Sequence, residues 1–217
     1  MDDTRIETID QLEARIGAMP AALELKIVDH LDAGSLRWIA ECPLLFLGGV
    51  LSDGIDATVS GGAPGYLSAT RDTLSIPLAA CDHPLAFAEG DGIGTLLLLP
   101  KIGEMLRING RIASTDSQFI TLTVEQCYIH CAKALIRSDF WSHEAVGAGA
   151  DSDIAPSALI NESRFMALAS ADEHGNTDVS PKGDPAGLLA SAQGQELLFA
   201  DRPGNRRADS FKNMLSQ

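Results

Sequence analysis

The basic residues of this chain are unevenly placed, and its chemistry is most readable there. Between Trp38 and Pro100 the only Lys or Arg is Arg71, whereas Lys182, Arg202, Arg206, Arg207 and Lys212 crowd one short stretch further on. Lys182 stands in SPKGDP, where Pro and Gly shape an exposed turn after a strand and leave the ammonium free to reach an anion. In DRPGNRR, Pro203-Gly204 reads as a turn and Asn205 as the N-cap of the next helix. Backbone N–H groups at that helix start and the two arginines can then converge on a phosphate. The alternative is a solvated basic face opposing an acidic domain, and composition alone leaves both readings open.

Other groupings carry less. Cys127, His130 and Cys131 are three ligand types without a partner cluster, which is not a zinc-site spacing, so no metal is expected. No nucleophile elbow places a Ser/His/Asp set, and neither Gly61-Gly62 nor Gly92 with Gly94 sits in a dinucleotide-binding pattern. The four cysteines (Cys42, Cys81, Cys127 and Cys131) have no framework spacing and read as small buried apolar residues.

Positioning the cations falls to the second of two copies of one unit. From Leu44 to Leu78 the order is LLFLGGV, a turn SDG, a strand-like IDATVS, a Gly/Pro stretch GGAPGYL and a second apolar run TLSIPL. From Phe165 the order returns as FMALASA, DEHG, NTDVS, PKGDPAGLL and ELLFAD. Val59-Ser60 matches Val179-Ser180 at an offset of 120 residues, and Leu44 matches Phe165 at 121. Solenoid units run roughly 20–50 residues, so this period means duplicated domains. We therefore expect a helical extension over 1–29, a complete first domain over 30–142, a Gly/Ala/Asp-rich linker over 143–156, and the first half of a second domain over 157–217.

Within the first copy, Ile6, Ile9, Leu12, Ile16 and Met19 step by three and four and predict a helix; Leu23, Ile27 and Leu31 begin a second, and Trp38-Ile39 a third that ends before Pro43. Six strands follow over 44–50, 55–60, 73–78, 94–99, 104–114 and 118–125, which suggests a small antiparallel barrel. Cys127 to Arg137 returns to helical spacing, which puts His130, Lys133 and Arg137 on one helix face. The second copy holds three strands and one helix, Asn205 to Leu215, so its open sheet edge is expected to need completion from elsewhere.

Composition bounds the function. The 217 residues are 45% hydrophobic, 21% charged and 5% aromatic, an ordinary globular mix. Sixteen basic against thirty acidic residues give −14, so the chain as a whole is repelled by nucleic acid and by anionic membranes. No stretch has the apolar density of a membrane span, and the acidic start MDDTRIETID is the opposite of a signal or transit peptide, so the reading is cytoplasmic.

DVSPKGDPAG followed by DRPGNRRADS resembles the signature of the pyridoxamine 5′-phosphate oxidase-related flavoproteins, whose fold is an FMN-binding split β-barrel. Two blocks of the first copy, LLLLPKIGEMLRINGRI and CYIHCAKALIRSDFW, are similar to the family's later blocks, and the resemblance covers about residues 30–217. It implies a mainly β, antiparallel split barrel with N-terminal helices, and barrels that pair with FMN at their interface. It further implies phosphate binding by Lys182, Arg202, Arg206 and Arg207, with Ser180, Gly204 and Asn205 as nearby donors.

The first copy departs from that pattern. SGGAP stands for SPKGDP, and LAACDHPLA, carrying the acidic Asp82, stands for DRPGNRR, so this copy is expected not to hold FMN through its own first half. Its second half still matches, which implies that Arg107, Asn109, Arg111, His130, Lys133 and Arg137 face a flavin anchored by the second copy; salt bridges that merely cap the barrel are the alternative for the last three. The resulting expectation is an FMN-dependent oxidoreductase. The rivals are a non-catalytic dimerisation or flavin-binding module and the haem-utilisation role of some split-barrel relatives. A homodimer is expected as well, to cover a patch of Leu97, Leu99, Leu106 and Ile108.

Overall fold

The computed structural model describes residues 5–100, 102–142, 155–204 and 206–216, so nearly all of the expected linker lies outside the described residues. Helix α1 (Ile9–Ile16) starts where the Thr8 hydroxyl accepts from the Gln11 N–H at 3.2 Å, and ends at Gly17, whose φ of 85° favours glycine. A single turn, α2 (Ala21–Glu24), follows Pro20. The expected helix through Ile27 and Leu31 does not continue from it. Val28 and Cys127 exchange backbone bonds of 3.1 and 2.7 Å, and the Leu31 N–H donates to the Arg71 carbonyl at 2.7 Å. These bonds draw β-branched Ile27-Val28 out along the sheet and bury Leu31. Helix α3 (Ala33–Glu41) is capped by the Asp32 carboxylate, which accepts from the Ser35 N–H at 2.7 Å, and stops before Pro43 as expected.

Seven strands come next: β1 (Leu44–Leu51), β2 (Gly54–Gly61), β3 (Ser68–Ala69), β4 (Thr73–Pro77), β5 (Gly92–Leu98), β6 (Met105–Thr115) and β7 (Phe119–His130). They form one antiparallel sheet in the order β2-β1-β5-β6-β7-β4-β3. One face surrounds a single core in which Leu45, Leu47, Leu74, Ile76, Ile93, Leu97, Leu106, Ile108, Ile120 and Leu122 meet Leu31 and Ile39. The end of β2 reaches the segment after β4 through one bridge, Ser60 to Cys81. The mainly β, antiparallel expectation holds.

Strand β7 is longer than its spacing predicts. Residues Cys127 to His130 extend the strand, with Met105 of β6 opposite His130, because a continuous ladder satisfies every backbone group where an isolated helical turn would not. Helix α4 (Lys133–Ser138) therefore carries Lys133 and Arg137 but not His130. Helix α5 (Pro156–Glu162), with Pro in its first turn, occupies the start of the second unit. There β8 (Phe165–Ala171) and β9 (Thr177–Gly183) form a hairpin with Phe165 opposite Gly183, as Leu44 is opposite Gly61 in the first unit. A second hairpin joins β10 (Ala190–Gln193) to β11 (Glu196–Phe199). The last helix, α6 (Asp209–Leu215), begins after Ala208 rather than at Asn205, which itself lies outside the described residues.

The second unit packs on the outer face of β1 and β5. Leu96 and Leu98 point to that face and meet Phe165, Ala167, Ala169 and Val179. Glycines permit the approach: a β-carbon at Gly48 would stand 2.6 Å from the Ala169 Cβ, and one at Gly94 2.7 Å from the Asp178 Cα. This corrects the expected interface patch. Leu97, Leu106 and Ile108 lie in the core, since strand side chains alternate and a slip of one residue exchanges the faces. The apolar outer face is covered by the chain's own second unit, and it gives no reason for a second chain. Among the described residues no helix is long and apolar enough to cross a membrane.

Candidate functional site

A cleft of about 490 Å³ opens where the end of β7 and α4 meet β9, the segment between β11 and α6, and the end of α1. That volume is in the range of small-molecule sites. Seven cations line it, Arg15, Lys133, Arg137, Lys182, Arg202, Arg206 and Arg207, against two acids, Asp184 and Asp201. Nearly half of the sixteen basic residues of a −14 chain are thus gathered in one place, against the sign of the whole chain. Of the residues singled out in the sequence, Ser180, Lys182, Arg202, Gly204, Arg206, Arg207, His130, Lys133 and Arg137 are all at its wall.

Each cation is placed by a local cause. Lys133 and Arg137 are four apart on α4 and share its exposed side. Buried Asp184 accepts from Arg202 Nε at 2.7 Å and faces Arg137 Nε at 3.7 Å, and Arg137 also donates to the Gly183 carbonyl at 2.9 Å. One carboxylate therefore presets two guanidinium groups. Lys182 lies over Phe211 and Phe199, at 4.9 and 5.8 Å from their ring centres, and burial pushes its ammonium below the ordinary value. Arg207 lies 4.2 Å over the Tyr128 ring and donates to the Leu23 carbonyl at 3.3 Å. Lys133 and Arg206 are exposed and make no ion pair among the described residues.

His130 differs from its neighbours in being neutral. Burial, followed by the repulsion of Arg107 and then of Arg207 and Lys182, pushes its pKa down to about 3. Its Nδ1–H donates to the Cys131 carbonyl at 3.3 Å, so the lone pair is at Nε2. A cationic wall thereby includes one uncharged acceptor.

Beneath the cleft lies a second cluster, centred on a fully buried arginine, with Arg207 standing 3.8 Å from the half-buried Asp209 carboxylate. Arg107 is 0% exposed and sits between Asp209 at 2.9 Å and Asp178 at 3.2 Å, donating also to the Tyr128 hydroxyl at 2.8 Å and the Ser180 hydroxyl at 3.0 Å. Burial alone would drive the Arg107 proton off, but Tyr128, Asp178 and Asp209 outweigh it and hold the group charged. Burial also pushes the Asp209 carboxyl up, against the pull of Arg107. Asp178 accepts from Ser170 at 2.9 Å, Ser180 at 2.6 Å and Asn213 at 3.0 Å.

These contacts occupy four of the residues singled out in the sequence. Arg107 ties the first unit to the second and does not face the cleft. Arg111 grips the turn between β8 and β9, donating to the Gly175 carbonyl at 3.1 Å, the His174 carbonyl at 3.3 Å and the Asn176 side chain. Asn109 donates to Gln126 at 3.3 Å, away from the cleft. Ser180 does reach the cleft, but its proton is committed to Asp178, so it is no donor to an anion there. Arg15, Asp184 and Tyr128 are the residues sequence reasoning missed. For Asp184 a signal existed, an acid inside the same SPKGDP turn as Lys182; for Arg15 none did, because a surface arginine on an amphipathic helix is unremarkable until the helix is docked. No family model matches the chain, and no curated protein matches it.

Proposed function

We propose that the chain binds FMN with its phosphate in this cleft and acts as a flavin-dependent oxidoreductase of the pyridoxamine 5′-phosphate oxidase-related class. The observation that supports it is the convergence of SPKGDP, DRPGNRR and the His130 to Arg137 segment on one wall, a gathering of cations against the sign of the whole chain. The residues present suit such a ligand. Lys133 and Arg206 offer unpaired charge to a phosphate, and Arg137 and Arg202, preset by Asp184, offer N–H groups in fixed directions. Ile16, Ala134, Pro181 and Leu189 alternate with the cations and suit a ligand with one charged end and an apolar body. His130 keeps a lone pair at Nε2 for an N–H of that body. When bound, FMN supplies reversible two-electron acceptance at its ring; the protein supplies anchoring and polarisation.

Fluorescence titration of the purified chain with FMN tests this. A near-stoichiometric complex is expected. Replacing Lys133 and Arg206 together by Ala should weaken it by about a hundredfold, from two charge-assisted bonds lost, with no change in thermal stability. FMN affinity that is equal in the double variant would remove these residues from the site, and a chain that ignores FMN altogether would remove the reading. Oxidation of a reduced nicotinamide by the loaded protein distinguishes an enzyme from a flavin-binding module.

A further inference from the structure

We propose that α1 belongs to the anion site, with Arg15 a ligand-binding residue and the segment from α1 to α2 a strap across the cleft. The proposal rests on the reading that the cleft takes a phosphate-bearing ligand. Arg15 and Ile16 line the cleft, and the Arg15 guanidinium, exposed, has no hydrogen bond or ion pair among the described residues, so its charge is available.

The strap is held at separate points along its length. Leu12 is 4% exposed and anchors α1 to the body. The Glu13 carboxylate accepts from Lys212 Nζ of α6 at 3.2 Å. Beyond the helix, the Leu23 carbonyl accepts from Arg207. At Gly17 the backbone passes so near Arg206 that a β-carbon would stand 3.0 Å from its Nε. One of these attachments is made by Arg207, Arg206 stands against the strap at Gly17, and both arginines line the cleft. Arg15 and Arg206, exposed and without an ion pair among the described residues, line one cleft with Lys182, so their mutual repulsion falls when a phosphate sits among them. Ligand binding and strap docking therefore favour each other, and reciprocally so.

The test uses the whole chain with two probes, inorganic pyrophosphate and FMN, in calorimetric titration and in amide hydrogen exchange over residues 9–16. Arg15→Ala should weaken both ligands by about tenfold, the worth of one charge-assisted bond at an accessible site, and Arg15→Lys should restore most of it. Saturating ligand should slow exchange in α1 of the unaltered chain. Unchanged α1 exchange under saturating FMN, or an Arg15→Ala chain that binds as well as the original, would overturn the strap and leave the flavin reading standing. Protection of α1 by pyrophosphate, with no added affinity for FMN, supports the strap and removes the flavin. Binding of neither probe removes both.

Discussion

The same hairpin ends differently in the two units of this chain. After β2 the first unit closes on itself: Ser60 bridges to Cys81, the Asp82 N–H donates to the Val59 carbonyl at 2.8 Å, and the Tyr66 hydroxyl donates to the Ser60 carbonyl at 3.3 Å. In the second unit Ser180 within β9 and Asp201 just after β11 stand on the wall of an open cleft. By the sequence offset of 120 Lys182 aligns with Gly62, although the hairpin register sets it level with Ser60; a β-carbon at Gly62 would lie 2.7 Å from the Tyr66 ring. Backbone plan does not decide between the two outcomes. Glycine and an aromatic ring can fill the space, whereas a lysine and three arginines keep it open, because crowded cations must stay near water or an anion.

The comparison is broken most severely at Arg107, which joins the second unit to the first. Arg107→Met leaves buried Asp178 without its cation and half-buried Asp209 with only Arg207 at 3.8 Å, and the expected loss is about 3–5 kcal/mol of unfolding free energy in a urea titration. Hydrogen exchange should show β9 losing protection before β1 and β2 do. An unaltered urea midpoint would mean that the two units are held mainly by their apolar contact.

Gly62→Lys asks whether a cation alone converts the closed end into an open one. We expect a loss of about 1–3 kcal/mol, because the new side chain must displace Tyr66, and no second FMN equivalent in a titration. Gain of a second equivalent would show that the missing lysine was all that closed the first unit.

His130 sharpens the comparison on the open side. Its native pKa lies below its ordinary value, so the unfolded chain binds the extra proton first. Stability is therefore present above the ordinary histidine value of about 6.5 and falls as the pH drops from there toward 3. Urea midpoints measured across that window should decline less steeply for His130→Gln than for the unaltered chain. Parallel curves would assign the acid sensitivity to other groups.

Much of the architecture was legible in residue order. The two copies, their hairpins and the helix over α3 follow from apolar runs, turn residues and an Asp32 cap that act over a few positions. The clustering of cations was legible for the same reason, since SPKGDP and DRPGNRR are local patterns. Elements set by distant partners were not. Val28 and Cys127 pair across about a hundred residues of chain, and this pairing replaced one expected helix with extended backbone; the ladder from Met105 to His130 replaced part of another with strand.

By itself, then, the sequence determined a mainly antiparallel β chain whose basic residues crowd its later part, because strand alternation, turn chemistry and charge are properties of neighbours. Only the tertiary structure decided which cations are spent. It buried Arg107 between two aspartates, aimed Arg111 at a turn, set Arg137 and Arg202 on one carboxylate, and brought Arg15 to the same cleft as Lys182 from the opposite end of the chain. The reason is physical: a charge's role depends on the dielectric and the partners around it, and both are assigned only when distant segments pack.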